Sequence, residues 1–167
     1  CNSNTTKYNG EHDIKIIGGK IIGNGHKGVS NIISLAHAKN IAIKGLTIEN
    51  NVGSHAIEIN GCDNVTIEDC VFDKNIVAKG GEFRECIQID FANYQALTYS
   101  SNKNAKCYDD THCSNIIIKN NICKGFNIFA GTHTQTASKN KHKNIQIIGT
   151  ECVGIGAVEG YGSCIKI

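Results

Sequence analysis

Asn40-Ile41-Ala42-Ile43-Lys44-Gly45 is one copy of a six-residue pattern that recurs along the chain. In each copy an asparagine or aspartate precedes a run in which alternate residues are aliphatic, and the copy closes on glycine, asparagine or an acid. The other four copies are Asp13–Gly18, Asn64–Asp69, Asn115–Asn120 and Asn144–Gly149. Alternating apolar residues indicate half-buried strands. Their recurrence at steps of 27, 24, 51 and 29 residues indicates a repeat architecture.

A second strand is predicted before each copy and a third strand after it. The preceding segments are Asn31–Leu35, His55–Ile59, Cys86–Asp90 and Phe126–Gly131, and the following ones are Leu46–Glu49, Cys70–Phe72, Ile122–Lys124 and Glu151–Gly154. Three short strands per repeat, without a helical segment, are typical of a β-helix whose stacked coils share one core. The sequence therefore predicts an all-β, right-handed parallel β-helix of about five three-strand coils, with one insertion at about 91–110.

An aligned apolar column supports this fold. The residue eight places after the first residue of each pattern is apolar, as an inward-facing ladder requires: Ile21, Ile48, Phe72, Cys123 and Cys152. A leucine-rich repeat needs leucine at fixed places, and the chain has only three. A β-sandwich would also give alternating strands, but it does not predict this regular three-strand repeat.

Residues 1–167 are expected to form one β-helix domain, a piece of a longer solenoid. Neither terminus carries the polar cap that normally closes a solenoid. Uncapped coil ends predict self-association or contact with flanking domains.

Composition excludes several functions. The net charge of +2 gives little support to nucleic-acid binding, and no run of 18 apolar residues exists to span a membrane.

The nine cysteines include no CxxC pair, so no structural zinc site is expected. Cys62 and Cys113 lie two residues before a pattern asparagine in neighbouring coils, which predicts a separation within disulfide reach, although Cys107 competes for that pairing.

Polar residues on the first strand of successive coils indicate a binding face. Ile57, Ile59, Ile87 and Ile89 alternate with polar residues, so Glu58 is predicted to stack under Gln88, and Asn60 under Asp90. In the next coil Gly131 is predicted near the Asp90 column, with His133 just beyond. The face so defined comprises His55, Glu58, Glu85, Gln88, Asp90 and His133.

The insertion starts directly after Asp90 and returns at Asp109-Asp110, so those two acids are predicted to return near Asp90. It also carries aromatic residues suited to stacking on sugar rings: Phe91, Tyr94, Tyr99 and Tyr108.

Several segments resemble the pectate-lyase-like β-helix superfamily, and within it the polygalacturonase-type glycoside hydrolases. The resemblance rests on Gly18–Gly25, the Asn-Val-Thr-Ile coils, Glu85–Asp90 and Gly131-Thr132-His133. That family uses an Asp, an Asp-Asp pair, a His and an Arg-Ile-Lys cluster on successive coils. The matching positions are Asp90, Asp109-Asp110, His133 and Cys164-Ile165-Lys166, the last with cysteine in place of arginine.

The resemblance implies a secreted or cell-surface glycoside hydrolase acting on a carbohydrate in a groove. Asp90 and one of Asp109 or Asp110 would supply the acid and the base or nucleophile, and His133 would position them. Sugar hydroxyls would be bound by His55, Glu58, Glu85, Gln88, Tyr94, Tyr108 and Lys166. No cofactor is expected for a hydrolase.

Two alternatives remain open. A polysaccharide lyase would use Ca²⁺ held by carboxylates together with Arg84, the only arginine of the chain. A non-catalytic glycan-binding or adhesin module would need the groove but no paired acids.

Overall fold

The computed structural model describes residues 2–23, 31–51, 53–76, 84–97, 101–132, 140–153 and the backbone of 165–166. In chain order its strands are β1 (His12–Ile17), β2 (Lys20–Ile22), β3 (Ile33–Ala36), β4 (Lys39–Lys44), β5 (Thr47–Glu49), β6 (Ile57–Asn60), β7 (Asp63–Glu68), β8 (Val71–Asp73), β9 (Glu85–Asp90), β10 (Ser114–Lys119), β11 (Ile122–Lys124), β12 (Ile128–Gly131), β13 (Lys143–Ile148), β14 (Glu151–Val153) and β15 (Ile165–Lys166).

The strands form three parallel five-stranded sheets. Sheet A has the order β1-β4-β7-β10-β13, sheet B β2-β5-β8-β11-β14, and sheet C β3-β6-β9-β12-β15. Each coil contributes one strand to sheet C, then one to A, then one to B, and every strand pairs with its counterpart three elements later. This arrangement confirms the predicted right-handed parallel β-helix. No helix that could cross a membrane occurs among the described residues.

The predicted inward ladder is present in sheet B. Register pairs join Ile21 to Ile48, Ile48 to Phe72, Phe72 to Cys123 and Cys123 to Cys152. The three central members are buried, and the two outer ones pack partly buried against the same core. Stacking one apolar side chain per coil therefore builds a continuous core, as the repeat predicts.

The pattern asparagines form a second ladder, at the start of each sheet A strand. Each of these residues has a left-handed backbone, with φ between 50° and 58° for Asp13, Asn40, Asn64, Asn115 and Asn144. Asparagine and aspartate tolerate that conformation better than other side-chain-bearing residues. The Asn40 amide donates to Asp13 Oδ1 at 2.8 Å, and the Asn64 amide donates to Asn40 Oδ1 at 2.8 Å. The recurrent asparagine is therefore a turn residue that also ties neighbouring coils together.

Gly61 marks where the insertion packs on the coil. Its φ is 57°, and a Cβ at this position would lie 2.8 Å from both the Ala92 Cβ and the Thr111 carbonyl oxygen. Only glycine meets both requirements, so the turn between β6 and β7 lets the two ends of the insertion lie against it.

The seven described cysteines are free thiols. Cys62 and Cys113 are neighbours on adjacent coils, since the residues that follow them, Asp63 and Ser114, are in register. No disulfide joins them, so their predicted proximity is confirmed but a bond is not formed. Burial raises the pKa of the Cys113 thiol to about 12, which keeps it protonated at neutral pH.

Candidate functional site

The polar face predicted on sheet C exists, with one error in register. Glu58 pairs with Gln88 and Asn60 pairs with Asp90, as predicted. Gly131, however, is in register with Gln88 rather than with Asp90. The whole of β12 is shifted, because its first residue, Ile128, pairs with Glu85. Each β12 residue therefore pairs two positions earlier along β9 than predicted.

This face is not the open groove that the sequence suggested. Only 8% of Glu58, 2% of Gln88 and none of Asp90 is exposed to solvent. Alternation correctly predicts that these side chains point away from the coil interior. It does not predict that other parts of the protein cover them.

Asp90 is held by hydrogen bonds to its neighbours. Thr132 Oγ1 donates to Asp90 Oδ1 at 2.5 Å, and the Gln88 amide contacts Asp90 Oδ2. The Cys113 thiol donates to the Asp90 carbonyl oxygen at 3.3 Å. These contacts tie together β9, the end of β12 and the start of β10, so Asp90 has a structural role in the coil.

Glu58 is buried one coil away. Its Oε2 accepts hydrogen bonds from Asn31 Nδ2 at 2.6 Å and from Ser34 Oγ at 3.1 Å. Burial raises the pKa of the Glu58 carboxyl above its ordinary value, and the nearby charge of Asp90 adds to the increase. The hydrogen bonds oppose that increase by favouring the ionised form.

His55 and Glu85 form a second buried pair. His55 Nδ1 lies 2.7 Å from the Glu85 carbonyl oxygen and 3.6 Å from Glu85 Oε2, and both side chains are almost fully covered. The ring therefore connects two adjacent coils.

The two ends of the insertion meet, as expected. Ala92 and Thr111 form an antiparallel bridge, and the Asp110 N–H donates to the Ala92 carbonyl oxygen at 3.0 Å. The Asp109 carboxylate accepts from the Thr111 N–H at 3.0 Å, from the Thr111 hydroxyl at 2.5 Å and from the Lys7 N–H at 2.8 Å. The backbone thus returns beside Asp90, as predicted, whereas the Asp109 carboxylate fixes the turn and the amino-terminal segment.

Three insertion residues, Tyr94, Lys103 and Tyr108, form a surface cluster that we call the aromatic platform. Tyr94 and Lys103 are exposed, whereas Tyr108 is half-buried against a small apolar cluster. Tyr94 is 38% exposed, its ring meets that of Tyr108 edge-on at 5.4 Å, and Lys103 Nζ lies 5.1 Å from the Tyr94 ring centroid. Phe91 takes a different role, because it is buried and stacks on His142 at 4.2 Å. Tyr99 lies outside the described residues.

The structure describes neither the His133 nor the Lys166 side chain, both of which were predicted to belong to the site. His133 lies outside the described residues. Lys166 belongs to β15 and is in register with Gly131, but its side chain is likewise outside the described part. Among the described residues, no group of three His, Cys, Asp or Glu side chains is arranged to hold a metal ion.

Lys103 and His142 were not singled out from the sequence. Lys103 is one of several lysines in polar surroundings, and only the folded loop places it over Tyr94. His142 contacts two other parts of the chain, because its ring stacks on Phe91 and its Nδ1 accepts from the Cys113 N–H at 3.0 Å. The nearby charge of Asp90 favours its protonated form. Burial lowers the pKa of this imidazole.

Comparison with known proteins gives one similar sequence and a consistent fold. The chain is 27% identical over 130 residues to plasmin and fibronectin-binding protein A of Streptococcus pneumoniae. Two solved structures of PfbA, a surface adhesin of the same organism, superpose with TM-scores of 0.70 and 0.69 at 24% and 23% identity, over 83% of this chain. No family model matches the sequence.

These matches correct the functional prediction. The chain spans 17% of the similar sequence and 35% and 38% of the two solved chains. The prediction of a glycoside hydrolase is wrong, since the similar sequence is a binding protein and both well-superposing structures are of an adhesin. The matches support a β-helix but not the polygalacturonase resemblance, and they agree with the expected surface location.

Proposed function

We propose that this chain is a non-catalytic adhesion module that binds a host extracellular protein through the aromatic platform. The observation that carries the proposal is the contrast between that exposed platform and the buried carboxylates of sheet C. Tyr94 is 38% exposed, whereas Glu58, Glu85 and Asp90 are covered.

Burial of the acids weighs against catalysis at this face. A general acid or base must come within about 3 Å of the proton that it transfers. Asp90 is fully covered and its two carboxylate oxygens already contact Thr132 and Gln88. A substrate would have to displace those neighbours before reaching the carboxylate.

The platform has the properties of a protein-binding surface. Tyrosine provides a large, rigid contact area with a polar tip, and it is enriched among the residues that dominate interface energies. Lys103 adds a positive charge held near the Tyr94 ring. The platform sits on an insertion whose two ends are joined to each other by the Ala92–Thr111 bridge, which limits the conformational freedom that the loop loses on binding.

We choose fibronectin and plasmin as candidate partners because the similar sequence is named as a protein that binds them. Binding of this chain to immobilised fibronectin and plasmin, measured by surface plasmon resonance, tests the proposal. We expect Tyr94→Ala to weaken binding at least tenfold, since an alanine removes the ring that would be desolvated in the contact. Tyr94→Phe keeps the ring and should stay within about threefold of the original affinity.

Two lysines of the insertion give a matched control. Lys103 lies over the Tyr94 ring, whereas Lys106 is an exposed lysine three residues away. Lys103→Ala should weaken binding and Lys106→Ala should not. The proposal would be contradicted if the chain bound neither fibronectin nor plasmin. It would also be contradicted if the two lysine variants lost the same amount of affinity.

A further inference from the structure

A pocket of about 360 Å³ lies where the amino-terminal segment meets the end of the insertion. Its lining comes from three separate parts of the chain: Lys7, Tyr8, Asp109, Thr111, His112 and Asn140. None of these residues belongs to the aromatic platform or to the polar face of sheet C. Pockets of about this volume are common sites for small molecules.

The backbone of Lys7 is strained and is held from both sides. Its φ of 52° is unusual for a residue with a long side chain. The Lys7 N–H donates to Asp109 Oδ2 at 2.8 Å, and the Lys7 carbonyl oxygen lies 2.5 Å from Nδ1 of the fully buried His37. The turn at Lys7 is therefore fixed by two hydrogen bonds, which hold this wall of the pocket in place.

The other walls are fixed by hydrogen bonds as well. The Tyr8 hydroxyl donates to the His112 carbonyl oxygen at 3.0 Å, and the two rings meet edge-on at 6.2 Å. The Asn140 amide donates to the Asp110 carbonyl oxygen at 3.2 Å, and Asp110 itself has a left-handed backbone. The pocket is therefore preorganised.

The chemistry of the lining points to a neutral polyhydroxyl ligand. Asp109 and Lys7 contribute opposite formal charges to the lining, so the lining as a whole favours neither an anion nor a cation. Burial lowers the pKa of His112, so its neutral imidazole can both donate and accept. The Asp109 carboxylate and the Tyr8 and Thr111 hydroxyls already make hydrogen bonds within the protein, but their oxygens retain lone pairs that can accept from a ligand. Hydroxyl donors and an apolar face are what a sugar ring would present to these acceptors and to the Tyr8 ring beside them.

We infer that this pocket binds a neutral sugar residue, independently of the protein contact at the platform. A monosaccharide of about 12 heavy atoms at typical ligand efficiency gives a Kd on the order of 1 mM. Such a site would recognise a single sugar unit of a glycan. Higher affinity for a larger target would require that this site and other contacts bind the target at the same time.

The test is titration of the ¹⁵N-labelled chain with glucose, galactose, mannose, N-acetylglucosamine and N-acetylgalactosamine, followed by NMR. At least one sugar is expected to give saturable shifts, centred on the amides of Lys7, Thr111 and Asn140. Asn140→Ala should weaken that binding at least tenfold. Asn104→Ala, an exposed asparagine of the insertion away from the pocket lining, should leave it within twofold.

The result that would overturn the inference is no saturable shift with any of the five sugars. Shifts confined to sheet C, or equal affinity in Asn140→Ala, would overturn it as well. Tyr94→Ala separates this site from the proposed adhesion surface, because it should weaken protein binding at least tenfold and leave sugar binding unchanged.

Discussion

Replacing Ile48 with alanine is expected to lower the free energy of unfolding by about 3 kcal/mol. Ile48 is 1% exposed and stands in the inward ladder of sheet B between Ile21 and Phe72. Truncation leaves a cavity between two neighbouring coils, and both the lost burial and the unfilled volume reduce stability. Urea unfolding followed by circular dichroism measures the change.

Ile22 provides a matched control in the same sheet. It is 57% exposed on β2, so Ile22→Ala removes the same atoms from a surface position. Its cost should be less than about 1 kcal/mol. Equal destabilisation by the two substitutions would show that the ladder is not the core of the fold.

Asp90→Asn is expected to destabilise the protein by about 2 kcal/mol. The carboxylate accepts from Thr132 and contacts the Gln88 amide while fully buried. An amide offers one oxygen instead of two and places an N–H group against one of those donors. Hydrogen bonds to a charged group are among the stronger ones, so losing one inside the protein is costly.

Asp110→Asn is the matched carboxyl-to-amide change. Asp110 has a left-handed backbone that asparagine also tolerates, and its side chain is not fully buried. Its free energy of unfolding, measured by urea denaturation, should change by no more than about 0.5 kcal/mol. A change at Asp90 as small as that at Asp110 would contradict the structural role assigned to the buried Asp90 carboxylate.

The fold could be predicted because it depends on short-range sequence patterns, namely the recurring asparagine and the alternation of apolar residues along each strand. The spacing of Asn40, Asn64, Asn115 and Asn144 follows from a backbone turn that each coil must make, and the ladder through Phe72 follows from strand alternation. The position of Gly131 was missed by two residues. Counting along the strand does not reveal how many residues the turn before β12 takes.

The site was harder to predict, because burial on the outer face depends on distant segments. Alternation gives the direction of Glu58 and Asp90 relative to the coil, but only the folded chain brings Asn31 to Glu58 and Thr132 to Asp90. The aromatic insertion was recognised from its composition. Lys103 beside Tyr94, and the pocket built around Lys7, depend on loop conformations with no sequence period.

Hydrogen exchange with and without bound fibronectin tests the proposed adhesion surface most directly. We expect slower exchange in the insertion, at residues 92–97 and 101–108, when the partner is bound. The outer face of sheet A, at residues 39–44, 63–68 and 114–119, should exchange at the same rate in both states. Protection of sheet A with no change in the insertion would contradict the claim that the aromatic platform is the binding surface.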